Sequence, residues 1–116
     1  MSDKIYDLEE RTLQFAITIR LFLKKLPRTI SNIEDAKQLV RSSGTVGANY
    51  IEANESLSKK DFCYRIKICR KESKESSYWL KIIKATNPEC EKEIILLIQE
   101  ADELKKIFSA ILGKSS

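Results

Sequence analysis

The spacing of apolar residues is what most restricts the folds open to this chain. Leu8, Thr12, Phe15, Ile19, Phe22 and Leu26 follow one another at alternating steps of four and three. That period places all six on one side of an α-helix. The same rhythm returns three times: in Ala36, Val40, Ser43, Gly47, Tyr50 and Asn54; in Phe62, Ile66, Cys69, Ser73, Ser76, Leu80 and Ile83; and in Cys90, Ile94, Leu97, Ala101, Leu104, Phe108 and Ile111. A helix with one apolar stripe cannot bury it alone, so four such helices must cover one another.

Punctuation between the stripes supports this division. Pro27 closes the first helix. Ser31 and Glu34 have capping-box spacing at the start of the second, and Ser58 with Asp61 repeats it for the third. Asn87-Pro88 reads as an N-cap followed by proline at the first helical position of the fourth, which Gly113 ends. The links, about 28–32, 57–58 and 86–87, are short, and short links favour antiparallel neighbours. The expected fold is all-α, an antiparallel up-down four-helix bundle, with residues 1–116 as a single domain. The third helix is expected to span about 28 residues, or about 42 Å at 1.5 Å per residue.

Two of the 3 glycines, Gly44 and Gly47, fall in "RSSGTVGANYIEANE", residues 41–55. Glycine costs about 1 kcal/mol against alanine inside a helix. Either the segment is a loop, or another backbone comes close enough to need the missing side chains. The seam position of Gly47, and the small residues Ser73 and Ser76 at mid-length of the third helix, point to a continuous second helix packed tightly on the third. "GTVG" lacks the spacing and the preceding strand of a phosphate-binding loop.

Several function classes drop out. The chain has 0 histidines, which removes His-based triads and His-containing metal sites. Cys63, Cys69 and Cys90 lack CxxC spacing and read as structural thiols of a reducing compartment. No nucleophile, metal-ligand set or cofactor motif stands out, so neither an enzyme, a metal nor a cofactor is expected. The longest apolar runs, such as Ile94 to Ile98, are too short for a membrane span. "MSDKIYDLEERT" carries no signal-peptide pattern, and the expected compartment is the cytoplasm.

Charge is unevenly spread. Net charge is +4, yet residues 59–84 hold nine Lys/Arg against three acids, and the remainder holds twelve bases against fourteen acids. An excess of six positive charges on one helix suits a polyanion. Lys60, Lys67, Lys71, Lys74 and Lys81 recur near helical spacing, and Lys59 and Lys60 sit in the first turn, where the macrodipole disfavours cations. The candidate nucleic-acid-binding residues are Lys59, Lys60, Lys67, Arg70, Lys71 and Lys74. The plainer alternative is a solvated face with i,i+4 pairs Lys71–Glu75 and Asp61–Arg65. Tyr64, Tyr78 and Trp79 could stack on unpaired bases, although Trp79, beside Leu80, also fits core or subunit packing.

The stretch from Gln38 to Ile83 resembles the 23S rRNA-intervening-sequence proteins. The resemblance is carried by Arg41, Ser42, Val46-Gly47-Ala48-Asn49, Glu52-Ala53, the Ser58-Lys59-Lys60-Asp61-Phe62 turn, Arg65 and the Glu72/Glu75 region. Asn54 and Glu55 stand where many members carry a glycine. The resemblance implies an antiparallel four-helix bundle, a ring-like homo-oligomer of five copies and no catalytic activity. A related branch, the accessory variability determinant of diversity-generating retroelements, binds nucleic acid and works with a reverse transcriptase. An adaptor docking such a protein partner is therefore the second expectation, beside RNA or DNA binding. Arg41 keeps a place in this pattern among small residues. It is expected either to pair with Glu72 or Glu75 across the second and third helices or to touch RNA. Asn49, Tyr50, Glu52 and Asn54 are expected in hydrogen bonds between helices or subunits.

Overall fold

The computed structural model describes residues 7–115, so the opening segment read for a signal peptide lies outside the described residues up to Tyr6. Four α-helices follow one another: α1 Leu8–Leu23, α2 Ile30–Asn54, α3 Lys59–Thr86 and α4 Glu91–Ser115, the last preceded by a 3-10 turn at Pro88–Cys90. Each helix packs on the next in sequence, and α4 closes thinly on α1. Side-chain contacts fix the directions. Asn54 at the end of α2 donates to Glu9 at the start of α1 (2.8 Å), Arg65 early in α3 donates to Asn49 late in α2 (3.1 Å), and Arg11 of α1 donates to Glu100 of α4 (2.7 Å) while Lys25 reaches Glu93. The result is the antiparallel up-down bundle, 44 × 30 × 19 Å.

Five of the six residues of the first seam lie buried on α1, and the sixth, Leu26, is buried in the turn that follows, since the helix ends at Leu23 and not at Pro27. Ile66, Cys69, Ser73, Ser76, Leu80 and Ile83 of α3 are buried as well. The α2 seam differs from its expectation. Fully buried there are Leu39, Ser42, Ser43 and Val46, whereas Ala36, Val40, Gly47 and Tyr50 are half-buried. The cause is the position of α2 between two partners, which gives it two contact stripes. Gly47 and the Val40 carbonyl face α1, Ser42 and Val46 meet α3, and Tyr50 reaches Phe108 of α4.

This also corrects the partner of the glycines. Both lie within continuous α2, but a Cβ on Gly47 would stand 2.9 Å from Thr12 Oγ1 and 3.2 Å from Thr12 Cβ, on α1 rather than α3. Thr12 cannot easily yield, because its buried hydroxyl donates to the Leu8 carbonyl at 2.7 Å. A Cβ on Gly44 would meet only the guanidinium of Arg20, at 3.0 Å. The α2–α3 contact is made instead by other small side chains: Ser76 Oγ donates to Ser42 Oγ at 2.9 Å, and Cys69 Sγ to the Val46 carbonyl at 3.3 Å. Burial pushes the Cys69 thiol up to about 12.

Three helix ends also depart from their sequence reading. Thr29, not Ser31, caps α2 by accepting from the Asn32 amide at 3.1 Å. Asn87 does not cap the helix that follows; its side chain donates instead to the Ile83 carbonyl at the end of α3, at 2.9 Å. It is buried and exchanges two 2.9 Å hydrogen bonds with Asn32, tying the end of α3 to the start of α2, and α4 proper begins only at Glu91. Gly113 does not stop α4, which continues through it to Ser115 with no positive φ. Ser58 caps α3 by accepting from the Asp61 amide at 3.0 Å.

The two helical glycines give different expectations for alanine. Gly47→Ala should lower stability by about 1 kcal/mol or more through overpacking on Thr12. Gly44→Ala should cost less than Gly47→Ala and be near neutral, because the gain in helix propensity of up to about 1 kcal/mol is set against a shift of the Arg20 tip, whose Nη2 donates to the Val40 carbonyl at 3.1 Å. Urea midpoints that rank the two variants the other way would contradict this placement.

Candidate nucleic-acid interface

The outer face of α3 follows from the burial of its inner one. With Ile66, Cys69, Ser73, Ser76 and Leu80 turned inward, and apart from Lys59 and Asp61 in the first turn and Ala85 and Thr86 in the last, the exposed residues are Lys60, Tyr64, Lys67, Lys71, Lys74, Tyr78 and Lys81. Their steps of four and three draw a single ridge along the helix, about 32 Å from Lys60 to Lys81. Tyr64 is 58% exposed and Tyr78 57%. Lys59 is exposed off the ridge in the first turn, and Arg70 is half-buried beside it. Of the six cations singled out by sequence, the structure thus aligns four, together with Lys81. The line of Lys60-Tyr64-Lys67-Lys71-Lys74-Tyr78-Lys81 is visible in the spacing once the tyrosines are counted with the lysines.

None of these ridge lysines forms an ion pair or a side-chain hydrogen bond among the described residues. The two i,i+4 pairs that could have neutralised the face are not made. Arg65 turns instead to Asn49 Oδ1 at 3.1 Å, with its guanidinium 5.7 Å from the Tyr64 ring centre. Glu75 is taken by Arg41 Nη2 and by Trp79 Nε1, the latter at 2.9 Å. Arg41 Nη1 also donates to Glu72 Oε1 at 3.1 Å. Arg41 therefore clamps both acids of mid-α3 from α2. Trp79 is half-buried, bound to Glu75 and set edge-on to Tyr78 with ring centres 5.1 Å apart.

Like charges on adjacent turns, Lys67 with Lys71 and Lys71 with Lys74, each cost a few tenths of a kcal/mol, as do cations in the first turn. Along the axis Lys67, Lys71 and Lys74 follow one another at about 4.5 to 6 Å, within the Debye length of about 8 Å at physiological salt, so their potentials add. Lys60 and Lys81 stand about 10.5 Å beyond either end. Of the other polar residues of α2, Asn49 and Asn54 hydrogen-bond across helices, and Tyr50 packs on Phe108 with ring centres 6.0 Å apart. Among the described residues no group of three or more His, Cys, Asp or Glu side chains gathers where a metal ion could sit, and no helix is long and apolar enough to cross a membrane.

These elements define an all-α bundle whose longest helix presents an unneutralised cationic row. The chain belongs to the 23S rRNA-intervening sequence protein family, whose model matches residues 6–110. Its backbone is similar to the crystal structure of a protein with unknown function from the S23 ribosomal protein family from Bacteroides thetaiotaomicron VPI-5482. That similarity has a TM-score of 0.82 at 26% identity and covers 95% of this chain and 98% of the other. No curated protein matches the chain.

The side chain of Glu72 is 8% exposed and that of Arg41 47%. Losing Arg41 would leave a nearly buried carboxylate unpaired, and Arg41→Met should lower stability by about 2 kcal/mol, between the values of exposed and buried pairs. Adding Glu72→Leu should recover part of that loss. Urea unfolding of the single and double variants checks it; a wild-type midpoint for Arg41→Met would show that the clamp contributes nothing.

Proposed function

We propose that the chain is a non-enzymatic, homo-oligomeric protein that binds RNA or DNA electrostatically through the outer ridge of α3. The observation that supports this reading is the row of Lys60, Lys67, Lys71, Lys74 and Lys81 without a single acidic partner. Lys59 and Arg70 flank the row and add to its field. A phosphate backbone attracts such a row without sequence readout and releases counterions when it binds. The reading needs no cofactor, metal or membrane, and it suits a cytoplasmic protein.

Self-association is supported by a different face. Leu13, Ile17 and Leu21 are exposed by 50%, 38% and 55%, and at four-residue steps they line the side of α1 opposite its buried seam. A helix apolar on both sides is ordinarily covered on both. A second copy of the chain is the reading we favour, and the family resemblance implies a ring of five. Repetition would present several ridges to one polymer and raise avidity. The second functional reading is an adaptor whose ridge meets an acidic protein surface, for example that of a reverse transcriptase; capture that survives nuclease treatment would favour it.

Binding to a structured RNA and to duplex DNA should weaken linearly in log Kd against log salt. Lys67→Gln with Lys71→Gln should reduce the slope by about 1.4 to 1.8, at about 0.7 to 0.9 per phosphate contact. A flat plot, or no binding at low salt, would remove the nucleic-acid reading. Light scattering should give a multiple of 13.4 kDa that falls to the single-chain mass in Ile17→Glu. A wild-type monomer at micromolar concentration would remove the oligomer.

A further inference from the structure

We infer that the ridge takes a single strand, RNA or DNA, whose unpaired bases stack on Tyr64 and Tyr78 while Lys67, Lys71 and Lys74 between them hold its phosphates. This rests on the polyanion-binding reading and goes further by choosing the form of the polyanion. Both rings stand more than half exposed in a row that is otherwise entirely lysine. Exposed rings gain nothing from a phosphate backbone alone, but they offer flat faces to bases not already paired.

The rings are held rather than loose. Arg65 lies 5.7 Å from the Tyr64 ring centre, and its own guanidinium is fixed on Asn49. Tyr78 is set edge-on against Trp79, whose indole is fixed on Glu75. Pre-ordering of this kind reduces the entropy lost when a ligand binds. The rings are fourteen residues apart, about 21 Å along the helix. That is about six nucleotides at a stacked rise of 3.4 Å, with three lysines spaced along the interval.

Geometry also disfavours duplex readout. A lone helix about 10–12 Å across fills the major groove. α3 is flanked along its length by antiparallel α2 and α4, so only the crest of the ridge can touch a duplex, and its rings would reach no base face there.

The test uses the full chain and fluorescently labelled twelve-nucleotide probes: a single-stranded RNA, a single-stranded DNA, the matching duplex, and an abasic strand with the same phosphates. Wild type should bind either base-bearing strand about tenfold or more tightly than the abasic one. Tyr64→Leu with Tyr78→Leu should bring base-bearing and abasic strands to the same affinity while leaving the salt slope unchanged. Tyr64→Phe with Tyr78→Phe should retain the preference, because the ring is what matters, and the fluorescence of Trp79, the only tryptophan, should change with base-bearing strands alone. Equal wild-type affinity for base-bearing and abasic strands, tighter binding of the duplex, or an undiminished leucine variant would overturn the stacking inference while a steep salt slope kept the polyanion reading. Failure to bind any probe at low salt would overturn both.

Discussion

The clamp of Arg41 on Glu72 and Glu75 links the packing of this bundle to the character of its surface. α2 and α3 meet through small buried side chains, Ser42 and Val46 against Ser76 and Cys69, and that contact lets an arginine on one helix reach carboxylates on the other. Glu72 and Glu75 are two of the three acids within residues 59–84. Once Arg41 engages them, the lysines of α3 have no intrahelical acid left at mid-length. A packing interaction thus leaves the outer face with its full positive charge.

The coupling is physical rather than incidental. A free Glu75 lies four residues from Lys71, and an exposed pair at that spacing is worth a few tenths of a kcal/mol. The competing bond to Arg41 shares its guanidinium with the part-buried bond to Glu72 and is joined by the part-buried Trp79 indole. Charge-assisted hydrogen bonds in partly desolvated surroundings are the stronger choice. The same indole then orients Tyr78, so one carboxylate serves both the charge and the aromatic character of the ridge.

Much of this was legible from periodicity, and the exceptions have definite causes. The seams of α1 and α3 could be read because each presents one dominant buried stripe. α2 misled because it lies between α1 and α3, and the stripe with the more regular spacing is the half-buried one. The choice between Thr29 and Ser31 as cap depends on Asn32, which is held by Pro27 and by Asn87, 55 positions away. Such a tie leaves no local signature. Gly113 could be read as a stop only on the assumption that the helix needed a left-handed residue there, and it does not. Gly47 carried a correct message, close approach, with the wrong address: Thr12 is counted among the seam residues of α1, and its short side chain gave no sign that it faced a glycine. At the candidate site, the lysines were conspicuous by composition, whereas their separation from Lys59 and Arg70 required the phase of the helix to be fixed by its buried side.

The bundle also separates its two unusual faces. α1 and α3 stand on opposite corners, since their backbones do not approach among the described residues. The stripe of Leu13, Ile17 and Leu21 lies opposite the seam of α1, and the lysine ridge lies opposite the seam of α3, so the two look outward in opposite directions. Cover placed over the first leaves the second open. An arrangement with both features on one helix would force a choice, because burying apolar side chains would desolvate neighbouring ammonium groups at several kcal/mol each. Placing them across a diagonal removes that conflict. Copies of the chain joined through α1 would add their ridges without hiding any of them, which is the condition that avidity toward a long polyanion requires.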